Sequence, residues 1–195
     1  MNKTLERVRE LFPEADEIAD SNLRAKVLKT WLAAWQLSPF DQLEQTPFLE
    51  GALAEINNVE HTRAVTVMSI QFAKIAREFL NIQVNTDYLI AGAILHDMGK
   101  VFEYCEVKTD LGRLFTHSVS AGLIAAKEDL PPEVIHIIVM HSLEGDLVKR
   151  SPEAAIVHYM DFAYAEFALR SKTPINLDEL IKLKKLKRAF NFIKI

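Results

Sequence analysis

Tyr88-Leu89-Ile90-Ala91-Gly92-Ala93-Ile94-Leu95-His96-Asp97-Met98-Gly99-Lys100 carries no charge from Tyr88 to Leu95 and then sets a histidine beside an aspartate. The run is apolar on every side, which predicts a central helix buried all round. Asn85 or Thr86 is its expected N-cap and Gly99 its expected end. An ionisable pair closing such a helix is costly unless it is paired or bound to a metal ion.

Outward from this stretch the helical period persists. Leu23, Val27, Trp31, Leu32 and Trp35 predict a helix over 21–36, and Val65, Met68, Phe72, Ile75, Ala76 and Phe79 one over 61–80. Between them Pro39, Gly51 and Asn57-Asn58 punctuate a loop with room for a short helix. Residues 103–115, mixed and charged around Gly112, read as a loop. Further helices are expected at about 117–129, 131–143 (opened by Pro131-Pro132), 152–170 and 177–193. Alternating strand patterns with Asn-Gly or Asp-Gly turns are missing from the sequence. The expected fold is all-α, a helical bundle with an N-terminal helical extension. Residues 1–50 form a helical segment packed on the core, and 51–195 the main domain with a basic C-terminal helix.

Composition narrows the function classes. The 195 residues suit one domain, are 49% apolar, and contain no repeat or low-complexity segment. A net charge of −4 argues against a dedicated nucleic-acid binder. Lys182, Lys184, Lys185, Lys187 and Arg188 run against that average. They read first as the solvated face of a terminal helix, with a phosphate-rich partner as the sharper alternative. Cys105 is the only cysteine, which excludes an intramolecular disulfide and suits a reducing compartment. The charged start MNKTLERVRELFPE is unlike a signal peptide, and no apolar run approaches the ~18 residues of a membrane span. A cytoplasmic protein without a membrane partner is expected.

The candidate chemistry lies in six histidines: His61, His96, His117, His136, His141 and His158. Taken singly, each is more often structural than a ligand. Asp161 alters the balance, because it sits in the apolar run Ile156-Val157-His158-Tyr159-Met160-Asp161-Phe162-Ala163. Buried carboxylates and imidazoles converging from several helices are how a bundle builds a metal site.

His61, the His96-Asp97 pair and the distant Asp161 resemble the signature of the HD superfamily of metal-dependent phosphohydrolases, over roughly residues 58–170. That resemblance implies a metal held by His61, His96, Asp97 and Asp161. Some branches add two histidines before the last aspartate, the places of His117 and His141, and there Asp97 bridges two divalent ions. Mn, Fe, Zn, Ni, Co or Mg would suit the donors, which do not choose among them. Asp97 and Lys100 are the expected catalytic residues, Lys100 by offsetting charge on a phosphate oxygen; a helix-terminal lysine favoured by the dipole is its plain alternative. Arg113 is a second cation that could reach substrate. His136 and His158 are read as structural, although His158 shares the face of Asp161.

Within the superfamily the sequence is most similar to the HD domain of bacterial 3′–5′ exoribonucleases, without their N-terminal β-barrel. The expected function is therefore hydrolysis of a small phosphorylated substrate, a nucleotide above all, by metal-activated water. RNA is less favoured, and mono- and diester cleavage both stay open, as does the oligomeric state. Two other classes are carried: an HD-type di-iron oxygenase, against which Lys100 counts, and a binding module without turnover.

Overall fold

The computed structural model describes residues 3–49, 53–105 and 109–173, together with 178, 179 and 182. Its helices are α1 (Leu5–Leu11), α2 (Ser21–Leu37), α3 (Asn58–Leu80), α4 (Thr86–Leu95), α5 (Lys100–Glu103), α6 (Asp110–Leu114), α7 (His117–Lys127), α8 (Pro132–Met140) and α9 (Pro152–Lys172). Short 3₁₀ turns lie at Pro13–Glu17, Leu43–Gln45 and Leu143–Leu147. The fold is all-α. No helix among the described residues is long and apolar enough to cross a membrane.

Local chemistry sets the starts of these helices, that of α3 three residues before the expected His61. Asp20, Asn57, Asn85 and Ser151 each cap a helix, their side chains accepting from backbone N–H groups of the first turn. Asn81 ends α3 in the left-handed conformation, φ 53°. Pro132 opens α8, where a missing N–H costs nothing.

Helix α4 is buried on every side because it stands between two apolar clusters. Ile90, Ala91, Ile94 and Leu95 join Trp31, Trp35 and Phe12 of the N-terminal segment with Ala121, Val134 and Ile138. Leu89 and Ala93 face the other way, to Val65, Ile137 and Val157. A third, smaller cluster sets Phe48 and Leu53 against Ala165 and Leu169 of α9.

Three expectations differ from the structure. The central helix stops at Leu95, before the His96-Asp97 pair and short of Gly99; residues 96–99 turn, with Lys100 N–H donating to Asp97 O at 3.1 Å, and α5 follows. The expected loop over 103–115 holds α6, capped by Thr109, whose hydroxyl accepts from Gly112 N–H. Helix α8 closes at Met140, not 143, because the chain leaves it through the 3₁₀ turn. The basic helix expected at 177–193 lies outside the described residues, apart from positions 178, 179 and 182.

The early end of α4 exposes its last carbonyls inside the core. Trp31 Nε1–H meets the carbonyl of Ile94 at 2.8 Å, and Phe12 stacks on the Trp31 ring at 4.7 Å. Trp31→Phe keeps most of the packing and strands that carbonyl. It should cost about 1–3 kcal/mol, read as a lower urea midpoint with an unchanged slope.

Candidate metal centre

The turn after α4 points His96 and Asp97 into the bundle, and three elements hold it there. Asn58, in the first turn of α3, donates its Nδ2 to Asp97 O at 3.0 Å. His96 Nδ1 lies 2.6 Å from Ala93 O, fixing the ring with Nε2 outward. Gly99 packs so tightly on α7 that a Cβ there would lie 2.0 Å from His117 O. Any side chain at 99 would push the start of α7 away from Asp97.

The two oxygens of Asp97 face different partners. Oδ2 lies 3.0 Å from His61 Nε2, 3.4 Å from His96 Nε2 and 2.5 Å from Lys100 Nζ. Oδ1 lies 3.4 Å from His117 Nε2 and 3.5 Å from His141 Nε2. Asp161 Oδ1 closes the first group at 3.1 Å from His61 Nε2. Two sets of donors result, His61-His96-Asp97-Asp161 and Asp97-His117-His141, each with ligand atoms within 4.8 Å of one another. Either set could hold a metal ion.

Electrostatics and unmet bonds fit that use. Both Asp97 oxygens and His141 Nε2 are buried, and none has a partner in hydrogen-bonding geometry among the described residues; Lys100 answers Asp97 in charge alone. Burial alone would push the Asp97 carboxyl up, but the pull of Lys100 and His96, with His141 and His61 beside it, holds it well below the usual range. Burial likewise opposes ionisation of Asp161, as does the neighbouring Asp97, but the hydrogen bond and charge of His61 together with the pull of His96 bring it down to about 2. Unprotonated carboxylates facing imidazole Nε2 atoms are the donor chemistry that divalent transition metals take.

The structure thus brings together His61, His96, Asp97, Lys100, His117, His141 and Asp161. Lys100 is not an exposed helix-end lysine: it is buried, with Nζ 4.3 Å from the centre of the Phe48 ring. Arg113 is not brought in. It pairs with Asp110 at 2.9 Å on the exposed face of α6. His136 accepts from Ser151 N–H at 3.1 Å, and His158 Nδ1 lies 2.5 Å from His141 O instead of reaching Asp161.

Other contributors carried no signal in the sequence. Glu103 accepts from His117 N–H at 3.2 Å and lies 2.7 Å from its Nδ1, serving as both helix cap and ring anchor. Burial would raise the Glu103 carboxyl, and the bonds from His117 lower it overall. Phe48 stacks on His61 at 3.8 Å. A cavity of about 120 Å³ opens over Asp97, Lys100, His117 and Asp161, walled by Leu143 and Phe162. A larger one, about 670 Å³, lies around Tyr88, Ile137, Lys149 and Arg150 and is lined by none of the Asp97 donor groups. The chemistry follows the donors, not the volume.

An HD domain is matched over residues 58–163. The dihydroneopterin 2′,3′-cyclic phosphate phosphodiesterase of Methanocaldococcus jannaschii is 34% identical over 169 residues, covering 78% of this chain and 67% of its own. No solved structure matches.

Asp97 belongs to both donor sets, so Asp97→Ala should reduce bound metal to background by elemental analysis. Full metal content in that variant would show that the ions sit elsewhere.

Proposed function

This chain belongs to the HD-domain family and is a metal-dependent phosphohydrolase, and from that premise we propose that it cleaves a phosphodiester in a small nucleotide-like substrate at a two-metal centre. The carrying observation is the division of Asp97, one oxygen toward His61 and His96 and the other toward His117 and His141. In this reading His61, His96, Asp97 and Asp161 hold one ion, and Asp97, His117 and His141 the second. Two divalent ions there, from among Mn, Fe, Co, Ni, Zn and Mg, would lower the pKa of a shared water and neutralise phosphoryl charge.

The protein's own groups supply the rest. Lys100, held between Asp97 and the face of Phe48 at the floor of the cavity, offers its ammonium to a phosphate oxygen as charge develops. Glu103 keeps His117 from rotating. Leu49, Leu143, Phe162 and Ala165 form an apolar wall that limits water around the reacting group. At about 120 Å³ the cavity is far below the roughly 300–1,000 Å³ that encloses a drug-sized ligand. It therefore takes the phosphoryl group and leaves the remainder of the substrate at the mouth. The relative's cyclic phosphate makes a 2′,3′-cyclic phosphodiester the first substrate to test.

Metal-free protein reloaded with each ion should turn over 2′,3′-cyclic nucleotides in a chelator-sensitive manner. Turnover of phosphomonoesters or single-stranded RNA alone would replace the reading. Wild type should hold two ions per chain, falling to about one in the His117→Ala, His141→Ala double variant; one ion in both would remove the second site. Lys100→Ala should keep its metal and lose roughly 10²–10³ in kcat, and unchanged kinetics would leave Lys100 a structural partner of Asp97.

A further inference from the structure

His141 follows the last residue of α8, where carbonyls lack the partners a continuing helix would supply. Its neighbours are nevertheless pinned one after another. Arg150 Nε donates to Met140 O at 2.6 Å, and its Nη2 to Ser142 O at 2.8 Å. His158 Nδ1 takes the carbonyl between them, His141 O, at 2.5 Å. The ring of His141 is tied back by Nδ1 to Ile138 O at 2.6 Å.

The fold is shaped to make this clamp. Gly145 brings the 3₁₀ turn back over α8, so close that a Cβ would lie 2.3 Å from Met140 O. Gly145 N–H donates to Ser142 O at 3.0 Å, and Asp146 accepts from Arg150 Nη2 at 2.8 Å, aiming the guanidinium inward. The Arg150 side chain is only 15% exposed. A planar fork of N–H groups can span two carbonyls of one strand of chain, which an ammonium cannot do in the same fixed geometry.

From this geometry we infer that Arg150 and His158 are positioning residues for the second metal, acting through the backbone of residues 140–142 to set His141. The inference rests on the two-metal reading. A hinge of the peptide at 141 swings Nε2, which lies 3.5 Å from Asp97 Oδ1 and has no hydrogen-bond partner among the described residues. Loss of the clamp therefore loosens one ligand of the second set. The first set, on α3, α9 and the turn after α4, shares only Asp97 with it.

The test is titration of Mn²⁺ into metal-free protein by calorimetry, comparing wild type with Arg150→Met, His158→Leu and His158→Gln. Arg150→Met and His158→Leu should bind the first ion as wild type does and the second roughly 10–100-fold more weakly, the usual effect of losing an outer partner. His158→Gln retains an N–H that can reach His141 O and should recover most of the affinity. Unchanged binding of both ions, even with a lower melting temperature, would overturn the inference and leave the clamp a stabilising staple. Equal weakening of both ions would overturn it too, as general loosening. One ion in wild type would overturn the two-metal reading and this inference with it. If Arg150→Met does not fold, the His158 pair decides.

Discussion

Asp97 is 1% exposed, and an ionised carboxylate in that position has lost its water. Such a loss costs several kcal/mol unless neighbouring charges and dipoles replace the hydration. Here Lys100 supplies the nearest charge and four imidazoles turn Nε2 toward the two oxygens. Three of the imidazoles, His96, His117 and His141, are themselves fixed by carbonyls and a carboxylate, and His61 is held by the stacked Phe48 ring, so their lone pairs have little freedom to turn away. This much buried polarity is a poor way to stabilise a bundle. It becomes sensible once metal completes it, and the large apolar clusters on both sides of α4 carry the stability that the site does not.

The fold class was readable because one feature left little choice. A run from Leu89 to Leu95 with no polar face must be covered on all sides, and in a chain of helical period only other helices can do so. His96, Asp97 and Asp161 were legible for the complementary reason, as ionisable residues interrupting apolar runs, whereas His61, between Glu60 and Thr62, stood out only through the family resemblance. Lys100 was found at the right position for an incomplete reason. Helical continuation was expected to bring it near Asp97, whereas a tight turn does so. Where the period is weak, the reading failed: α6 is too short to declare itself, and Arg113 lay close in sequence to His117 yet faces Asp110.

What stayed invisible was the supporting shell. Glu103 reaches His117 across fourteen positions, Asn58 reaches Asp97 across thirty-nine, and His158 reaches His141 across seventeen. None of these pairs has a spacing that helical geometry would bring together, so no pattern within one element can reveal them. Phe48 is harder still, an aromatic outside any helix whose stacking on His61 depends on how it packs with Leu53 against α9.

The two donor sets also differ in what holds them rigid. His61 and Asp161 belong to α3 and α9, helices of 23 and 21 residues, where hydrogen bonds on both sides fix each donor's backbone. His117 is the first residue of α7, and His141 the one that follows α8. Helix ends fray, and a side chain placed there inherits the motion unless other side chains tie it down. That contrast explains why both helix-end histidines recruit outer support. Glu103 replaces a conventional cap at His117, and the Arg150–His158 clamp stands in for the missing turn beyond His141. Ends of helices let several elements meet in a small space, and the price of that convergence is a second layer of contacts recruited from distant parts of the chain.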